Sequence, residues 1–305
     1  MIPEFPQFKK IELEDRKSIE AYTHKYPPYS DFNFTSLWAW DIDGERMISK
    51  LNGNLVVIFT DYKTSKSFFS FLGDNKIEDT IQKIISFAEQ SNISPILRFV
   101  SEESANDLRD SGLFIEEDRD NFDYIFSISD LSELGGVKFK EKRHSATKFL
   151  REYPEASFEI RELSDRNARA QIVSVLHNWR NKKKLDHKIY DSKNEDIAIS
   201  RLLQANHNSK VILSCVFLRD TMIGFSVDEI LPQSYAVSHF FKADNSHSGV
   251  YDFMNKKVSE YLLSQDIKLW NWEQDLGLDN LRQSKMSYHP VAFLKKYTIS
   301  LTKKR

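Results

Sequence analysis

Between Asn271 and Pro290 the chain reads NWEQDLGLDNLRQSKMSYHP. Two carboxylates, Glu273 and Asp275, stand just ahead of Gly277, and a helix is predicted to begin there. Leu278, Leu281, Arg282 and Lys285 occupy positions i, i+3, i+4 and i+7 of that helix. This is the spacing of a buried face, yet two of the four residues are cations. A cation turned toward a core needs an acid, an anion or a route to water, because burying it unpaired is prohibitive. Two chemistries meet the need. Arg282 and Lys285 either pair with Glu273 and Asp275 and tie helix to strand, or frame a pocket for a phosphate or carboxylate. The expectation combines them: the cations face the two acids across the turn and hold part of a ligand site. Arg282 lies nearer the acids, and its planar fork suits bidentate pairing. Lys285 sits a turn further on and is assigned more to the ligand.

The strand that leads into this turn, IKLWNWEQD, alternates so that Ile267, Leu269, Asn271, Glu273 and Asp275 share one side. Its acids come at the C-terminal end, where open α/β sheets place their ligands. A second set of candidates lies on the helix predicted from VKFKEKRHSATKFLREYP. At about 100° per residue, Phe139, Ala146, Phe149 and Leu150 form one face, and Lys140, Lys148 and Arg151 the solvated other. Lys142 falls inside the apolar arc and Arg143 at its edge, so both are candidates for an anion, phosphate above all. The basic run at Trp179–Lys184 reads as the charged last turn of a helix. His177, His187, His207, His239 and His247 show no compact metal-ligand spacing, and no metal is expected. His239 shares a strand face with Tyr235 and Val237 and reads as a core residue. Cys215, the lone cysteine, lies in the apolar run VILSCVFL and reads as core. No Walker loop or Gly-x-Ser-x-Gly elbow is present.

These residues must be positioned by elements that recur. From residue 165 the order is two helices, a hairpin turning near Asp220, a strand, a helix over GVYDFMNKKVSEYLLSQ, the strand and helix described above, and a closing strand over AFLKKYTISLT. The first half follows nearly the same order. A helix near EDRKSIEAYTHKY precedes a hairpin turning at Asn52-Gly53, the strand SFFSFLG, a helix over KIEDTIQKIISFAEQSN, and the strand SPILRFV. A helix closed by Gly112 and the strand FDYIFSI follow. Two copies of one α/β unit are expected: 1–130, a connecting basic helix over 131–154, and 155–305 with the site. A length of 305 residues suits two such domains. A net charge of −2 supplies no global attraction for nucleic acid or membrane, so an anionic ligand must be held locally. The N-terminus has no signal-peptide core, and no apolar run is long enough to span a bilayer. A soluble, cytoplasmic protein is expected; the oligomeric state is not indicated.

The element order resembles the GNAT acetyltransferase superfamily, in which an acyl-CoA pyrophosphate sits at the N-terminus of the helix after the third strand of the unit. The corresponding loop here, KADNSHSGVY, carries one glycine, Gly249, where the family has a Gly-rich run. A closer resemblance is carried by FDYIFSISDLSELGGVKFKEKRHSATKF, HFFKADNSHSGVYDFMN, YPPYSDFNFTSLWAW and NWEQDLGLDNLRQSKMSYHP. These are similar to the C-terminal catalytic domain of phosphatidylglycerol lysyltransferases and its soluble bacterial relatives. The last is the most specific, matching at Glu273, Asp275, Gly277, Leu281, Arg282, Lys285, Tyr288 and Pro290. The resemblance implies tandem GNAT-like α/β domains with mixed sheets flanked by helices, and transfer of an acyl or aminoacyl group to an amine or hydroxyl. The implied donor is anionic, aminoacyl-tRNA or acyl-CoA, with peripheral lipid contact left open. Lys142, Arg143, Lys242, Asp244, Arg282 and Lys285 would bind donor or acceptor. Glu273 and Asp275 would bind a cationic amine or tune the cations, and Tyr288 would hydrogen-bond the reacting carbonyl. Phe241, Trp272 and His144 stand where relatives usually carry Glu, Arg and Asn. The alternative, a non-catalytic binding or regulatory module on the same scaffold, rests on those departures.

Overall fold

A computed structural model describes residues 1–61, 64–108, 111–185, 193–205 and 210–301. The chain forms two compact units, neither of them one continuous stretch. The first comprises Met1–Asp123, Gln274–Asp279 and Phe293–Arg305; the second comprises Tyr124–Glu273 and Asn280–Ala292.

In the first unit, strands Lys9–Lys10, Met47–Leu51, Asn54–Thr60 and Ser67–Leu72 make an antiparallel sheet in chain order. Its central hairpin turns at Asn52 and Gly53, with φ of 55° and 83°. That pair of left-handed residues gives the turn whose twist matches the strands. Helix Ile77–Gln90 buries Ile77, Ile81, Ile84, Ile85 and Ala88, the stripe its periodicity predicts. They pack on Val56, Phe69, Phe71 and Leu97.

The second unit is built on a mixed sheet. Its strands run in the order Ala292–Leu294, Asp123–Ser127, Leu269–Asn271, Tyr235–Ala243, Thr221–Leu231, Val211–Leu218 and Ala156–Arg161. Tyr235–Ala243 is antiparallel to Thr221–Leu231 along its whole length. It is parallel to Leu269–Asn271 through Tyr235–Leu269, Ala236–Trp270 and Val237–Asn271 alone. Past Val237 the two parallel strands share no ladder, and the sheet opens there. Helices Lys140–Glu152, Arg166–Leu185, Lys193–Gln204 and Val250–Ser264 belong to this unit.

Two strands depart from the expected division at residues 130 and 155. Asp123–Ser127, read as the closing strand of the first half, pairs with Leu269–Asn271 in the second unit's sheet. Lys296–Ser300, read as the closing strand of the second half, lies between Leu97–Ser101 and Phe114–Glu117 in the first unit. Each half sends a strand to the other unit. The basic helix read as a connector, Lys140–Glu152, belongs to the second unit. The closing segment is also two strands, Ala292–Leu294 and Lys296–Ser300.

Lys296 anchors the strand that returns. Its side chain is fully buried, and Nζ reaches Asp31 and, at 2.7 Å, Asp123 Oδ1. Ser30 donates to Asp123 from N and Oγ, both at 2.7 Å, and Gln274 Nε2 donates to Asp31 at 2.9 Å. Burial alone would push the Lys296 ammonium down; the charges of Asp123 and Asp31 outweigh it and raise it. Removing one partner of such a network strands the others in the core. Lys296→Ala is therefore expected to cost about 3–5 kcal/mol in urea denaturation, with part of the loss recovered by adding Asp123→Asn. A loss under about 1 kcal/mol, the scale of an exposed ion pair, would contradict this.

Candidate active site in the second unit

The sheet opens because the chain leaves it at one residue. Strand Leu269–Asn271 stops, and Glu273 adopts φ 57°. A left-handed conformation is uncommon for a residue with a Cβ and persists only where its surroundings impose it. Here they do. Asn271 Oδ1 accepts the Glu273 N–H at 2.7 Å. The Glu273 carbonyl accepts from Tyr124 N at 3.2 Å and from Lys285 Nζ at 3.1 Å. The same ammonium also bonds the Trp272 carbonyl and sits 5.4 Å from the centre of the Tyr124 ring. Lys285 is buried, on helix Asp279–Met286.

Lys285 thus faces inward as its spacing predicts, and the hydrogen bonds described for it go to backbone carbonyls. At φ 57° the Glu273 backbone carbonyl, not its carboxylate, meets the ammonium. The alternation that put Glu273 and Asp275 on one strand side assumed extended backbone, and the bend ends it. Asp275 belongs to the first unit, where its fully buried carboxylate lies 3.3 Å from Arg119 and accepts from Gly277 N at 2.9 Å. Arg282 is half-buried, one turn before Lys285.

The Glu273 carboxylate instead stands beside His239. His239 Nδ1 is 3.6 Å from Glu273 Oε1, and His239 Nε2 is 3.2 Å from Glu229 Oε2. The side chains of His239 and Glu229 are each 1% exposed, that of Glu273 20%. Glu273 Oε1 itself is buried, and His239 Nδ1 at 3.6 Å is the polar contact described for it. Behind the trio lies Asp228, bonded by Ser226 Oγ at 2.6 Å and Trp270 Nε1 at 3.0 Å. Burial nonetheless pushes its carboxyl up to about 6. His239, read from sequence as a core residue, is buried but bound to acids. Glu229 was not singled out, because its meeting with His239 depends on a strand register that letters do not show.

A second polar group joins the bend through aromatic rings. Tyr288 packs edge-on against Trp272, with centroids 5.1 Å apart, and gives its hydroxyl hydrogen to Asp252. Lys142 Nζ lies 4.0 Å over the Tyr288 ring and 3.6 Å from Asp252 Oδ1. Burial and Asp252 hold the Tyr288 hydroxyl well above its ordinary value, so it stays protonated. Its proton goes to Asp252 here rather than to an open site. Lys142, Tyr288, Lys285 and Glu273 therefore share one neighbourhood around Trp272. Phe241 and Trp272, the two aromatic departures, both contact Trp270, at 6.2 and 5.1 Å.

Three expected binding residues have structural partners. Arg143 donates to the carbonyls of Leu134 and, at 3.2 Å, Gly136, groups left over past the end of helix Ile128–Glu133. Lys242 pairs with Glu195 at 2.8 Å and lies 4.2 Å over the Trp179 ring. Asp244 Oδ1 accepts from Ser246 N at 2.9 Å and Ser246 Oγ at 2.7 Å, folding the loop before helix Val250–Ser264. That loop closes on Gly249, whose φ is 87°. A Cβ there would lie 2.5 Å from the Ser145 carbonyl oxygen of helix Lys140–Glu152. A carboxylate on the loop amides and a carbonyl against the helix start do not fit a CoA pyrophosphate. Side chains from residue 181 of the basic run, His187 and His207 lie outside the described residues. Among the described residues no group of His, Cys, Asp and Glu side chains could hold a metal ion, and no helix is long and apolar enough to cross a membrane.

The family model described as phosphatidylglycerol lysyltransferase, C-terminal, matches residues 24–300. The chain belongs to that family. The phosphatidylglycerol lysyltransferase C-terminal match spans both units. A protein of unknown function from Bacteroides thetaiotaomicron is 26% identical, with a TM-score of 0.83 over 99% of this chain and 100% of that one. The L-PGS structure from Bacillus licheniformis is 14% identical, with a TM-score of 0.66 over 100% and 95%. A tandem GNAT protein from the clavulanic acid biosynthesis pathway is 8% identical, with a TM-score of 0.51 over 98% and 99%. The fold is the tandem GNAT-like one expected, mixed α/β with sheets flanked by helices. No curated protein matches the chain.

Two outcomes follow for this family member. Gly249→Ala is expected to lower stability by more than the roughly 1–2 kcal/mol of a left-handed alanine, because Ser145 must also move; thermal melts read the loss. Lys285→Ala should remove about 1.5–3 kcal/mol, the range for hydrogen bonds to a charged group. An unchanged melting temperature for Lys285→Ala would show that the bend stands without it.

Proposed function

We propose that this chain transfers an acyl group, in particular an aminoacyl group, from an activated ester to an amine or hydroxyl, with Glu273 as the proton acceptor. The observation that carries this reading is the Glu273 carboxylate, held by a left-handed backbone at the opening of the sheet, with Oε1 3.6 Å from the Nδ1 of His239. The acceptor nucleophile gives its hydrogen bond to this carboxylate. As its nitrogen or oxygen bonds to the ester carbonyl, its proton passes to Glu273. The bond to the leaving oxygen then breaks, and Glu273 returns that proton to it. The products are the acylated acceptor and a free hydroxyl, and Glu273 is regenerated. Positioning and proton transfer are the protein's contribution.

The donor proposed is aminoacyl-tRNA. The family description supports an aminoacyl group. The loop folded by Asp244 and the close approach of Gly249 to Ser145 count against acyl-CoA. The rival reading, a non-catalytic module, draws on Phe241 and Trp272, which put aromatic rings where relatives usually carry charge.

The test incubates the protein with tRNA charged with radiolabelled amino acids, or with labelled acetyl-CoA, alongside phosphatidylglycerol vesicles or a soluble polyamine. Label is expected to move from tRNA to one acceptor. Glu273→Gln is expected to slow it by on the order of 10²- to 10⁴-fold, the range of general base catalysis. Transfer from acetyl-CoA alone overturns the donor. Equal rates for wild type and Glu273→Gln overturn the assignment of the base. No transfer from either donor leaves the non-catalytic module as the reading.

A further inference from the structure

Both ring nitrogens of His239 face carboxylates, Nε2 toward Glu229 and Nδ1 toward Glu273. A neutral imidazole donates from one nitrogen and turns a lone pair outward from the other. Between two carboxylates that lone pair would meet negative charge, so the form that fits both contacts is the imidazolium. Glu229 lies on strand Thr221–Leu231, opposite the strand that carries His239, and its carboxylate is buried behind the ring. The contact described between Glu229 and the bend runs through His239.

We propose that Glu229 and His239 are a positioning pair: Glu229 fixes the imidazole ring and keeps it charged, and the Nδ1–H fixes where Glu273 Oε1 points. Neither residue touches the reacting atoms. The need is physical. A glutamate side chain turns about three bonds, and this one is partly open to solvent. A base that must meet both nucleophile and leaving oxygen gains from being held in one orientation. The purpose assigned to the pair rests on Glu273 being the proton acceptor, but the state of the ring can be measured without any substrate.

The charged groups described against His239 are Glu229 and Asp228 on strand Thr221–Leu231 and Glu273 at the bend. Burial alone would lower the proton affinity of the ring. Hydrogen bonds and charge from Glu229 and Glu273 outweigh burial and raise it from 6.5 to about 9. A raised folded-state value means the stabilisation is complete below about 6.5 and is lost as the pH rises through about 9.

The experiment records the histidine Cε1 signals of ¹³C-labelled full-length protein between pH 5 and about 10, with His239→Gln to identify the His239 signal. In wild type the ring is expected to stay charged through neutrality. Glu229→Gln, isosteric and checked by thermal melt, is expected to bring its midpoint down toward the ordinary value, and Glu273→Gln to lower it less. A second arm follows transfer from aminoacyl-tRNA. There Glu229→Gln is expected to lower kcat at least tenfold with KM for the donor little changed, and Glu229→Asp to recover part of the rate. A wild-type ring that titrates near 6.5, or a midpoint indifferent to Glu229→Gln, overturns the pair. So does a Glu229→Gln protein with wild-type kcat. If the ring titrates as expected but wild type transfers nothing, the proposed reaction fails and the purpose assigned to the pair fails with it, while the charged state of the ring is established. If transfer occurs with a neutral ring, the reaction stands and the pair falls.

Discussion

An ammonium kept away from water must be surrounded by oxygen, and Lys285 meets that demand with two successive backbone carbonyls. The carbonyls of Trp272 and Glu273 both point at one nitrogen. That geometry turns the chain from strand Tyr235–Ala243 after Asn271, while Trp272 and Glu273 still bond Tyr124. The bend ends the parallel ladder after three residue pairs, leaves the following part of strand Tyr235–Ala243 without that neighbour, and delivers the Glu273 side chain to His239. The placing of the Glu273 carboxylate beside the buried imidazole follows from where the chain turns from that strand.

The first unit solves a similar problem by other means. Lys296 is buried against two carboxylates, themselves held by Ser30 and Gln274. These residues come from positions near 30, 123, 274 and 296, and the contacts of the network span 93 to 265 residues of chain. Strand Lys296–Ser300 enters a sheet whose other two strands lie far back in the chain. A buried ion pair is a poor source of stability compared with apolar packing, but it tolerates few alternative partners. It therefore suits a place where the correct segment must be chosen among many.

Much of the fold was legible because it obeys local periodicity. The stripe of helix Ile77–Gln90, the Asn52-Gly53 turn and the long helix Val250–Ser264 need only side-chain spacing and turn chemistry to be found. Strands Phe114–Glu117 and Ala156–Arg161 are harder to read: FIEE carries two acids and no alternation, and ASFEIR alternates but is short and has few large apolar side chains, as befits strands at the margin of their sheets. The exchange of strands between the units has no local signature at all. At the site, an inward Lys285 could be read from its helix position, but its partners could not. Carbonyls are invisible to a search for acids, and one residue at positive φ breaks the alternation on which strand reasoning relies. Glu229 and His239 lie ten positions apart and meet across a hairpin register that bulges between Val227 and Asp228.

The left-handed backbone at Glu273 sets two demands on one position that pull toward different residues. Backbone preference favours asparagine or aspartate, whose short side chains visit that conformation several-fold more readily than most. Reach favours glutamate, because aspartate would withdraw the carboxylate by one methylene from an imidazole already 3.6 Å away. The chain keeps the residue that is worse for the turn and better for the reach. The cost in conformational freedom is borne by Asn271, Tyr124 and Lys285, three neighbours that hold the backbone so the side chain can be chosen for its length.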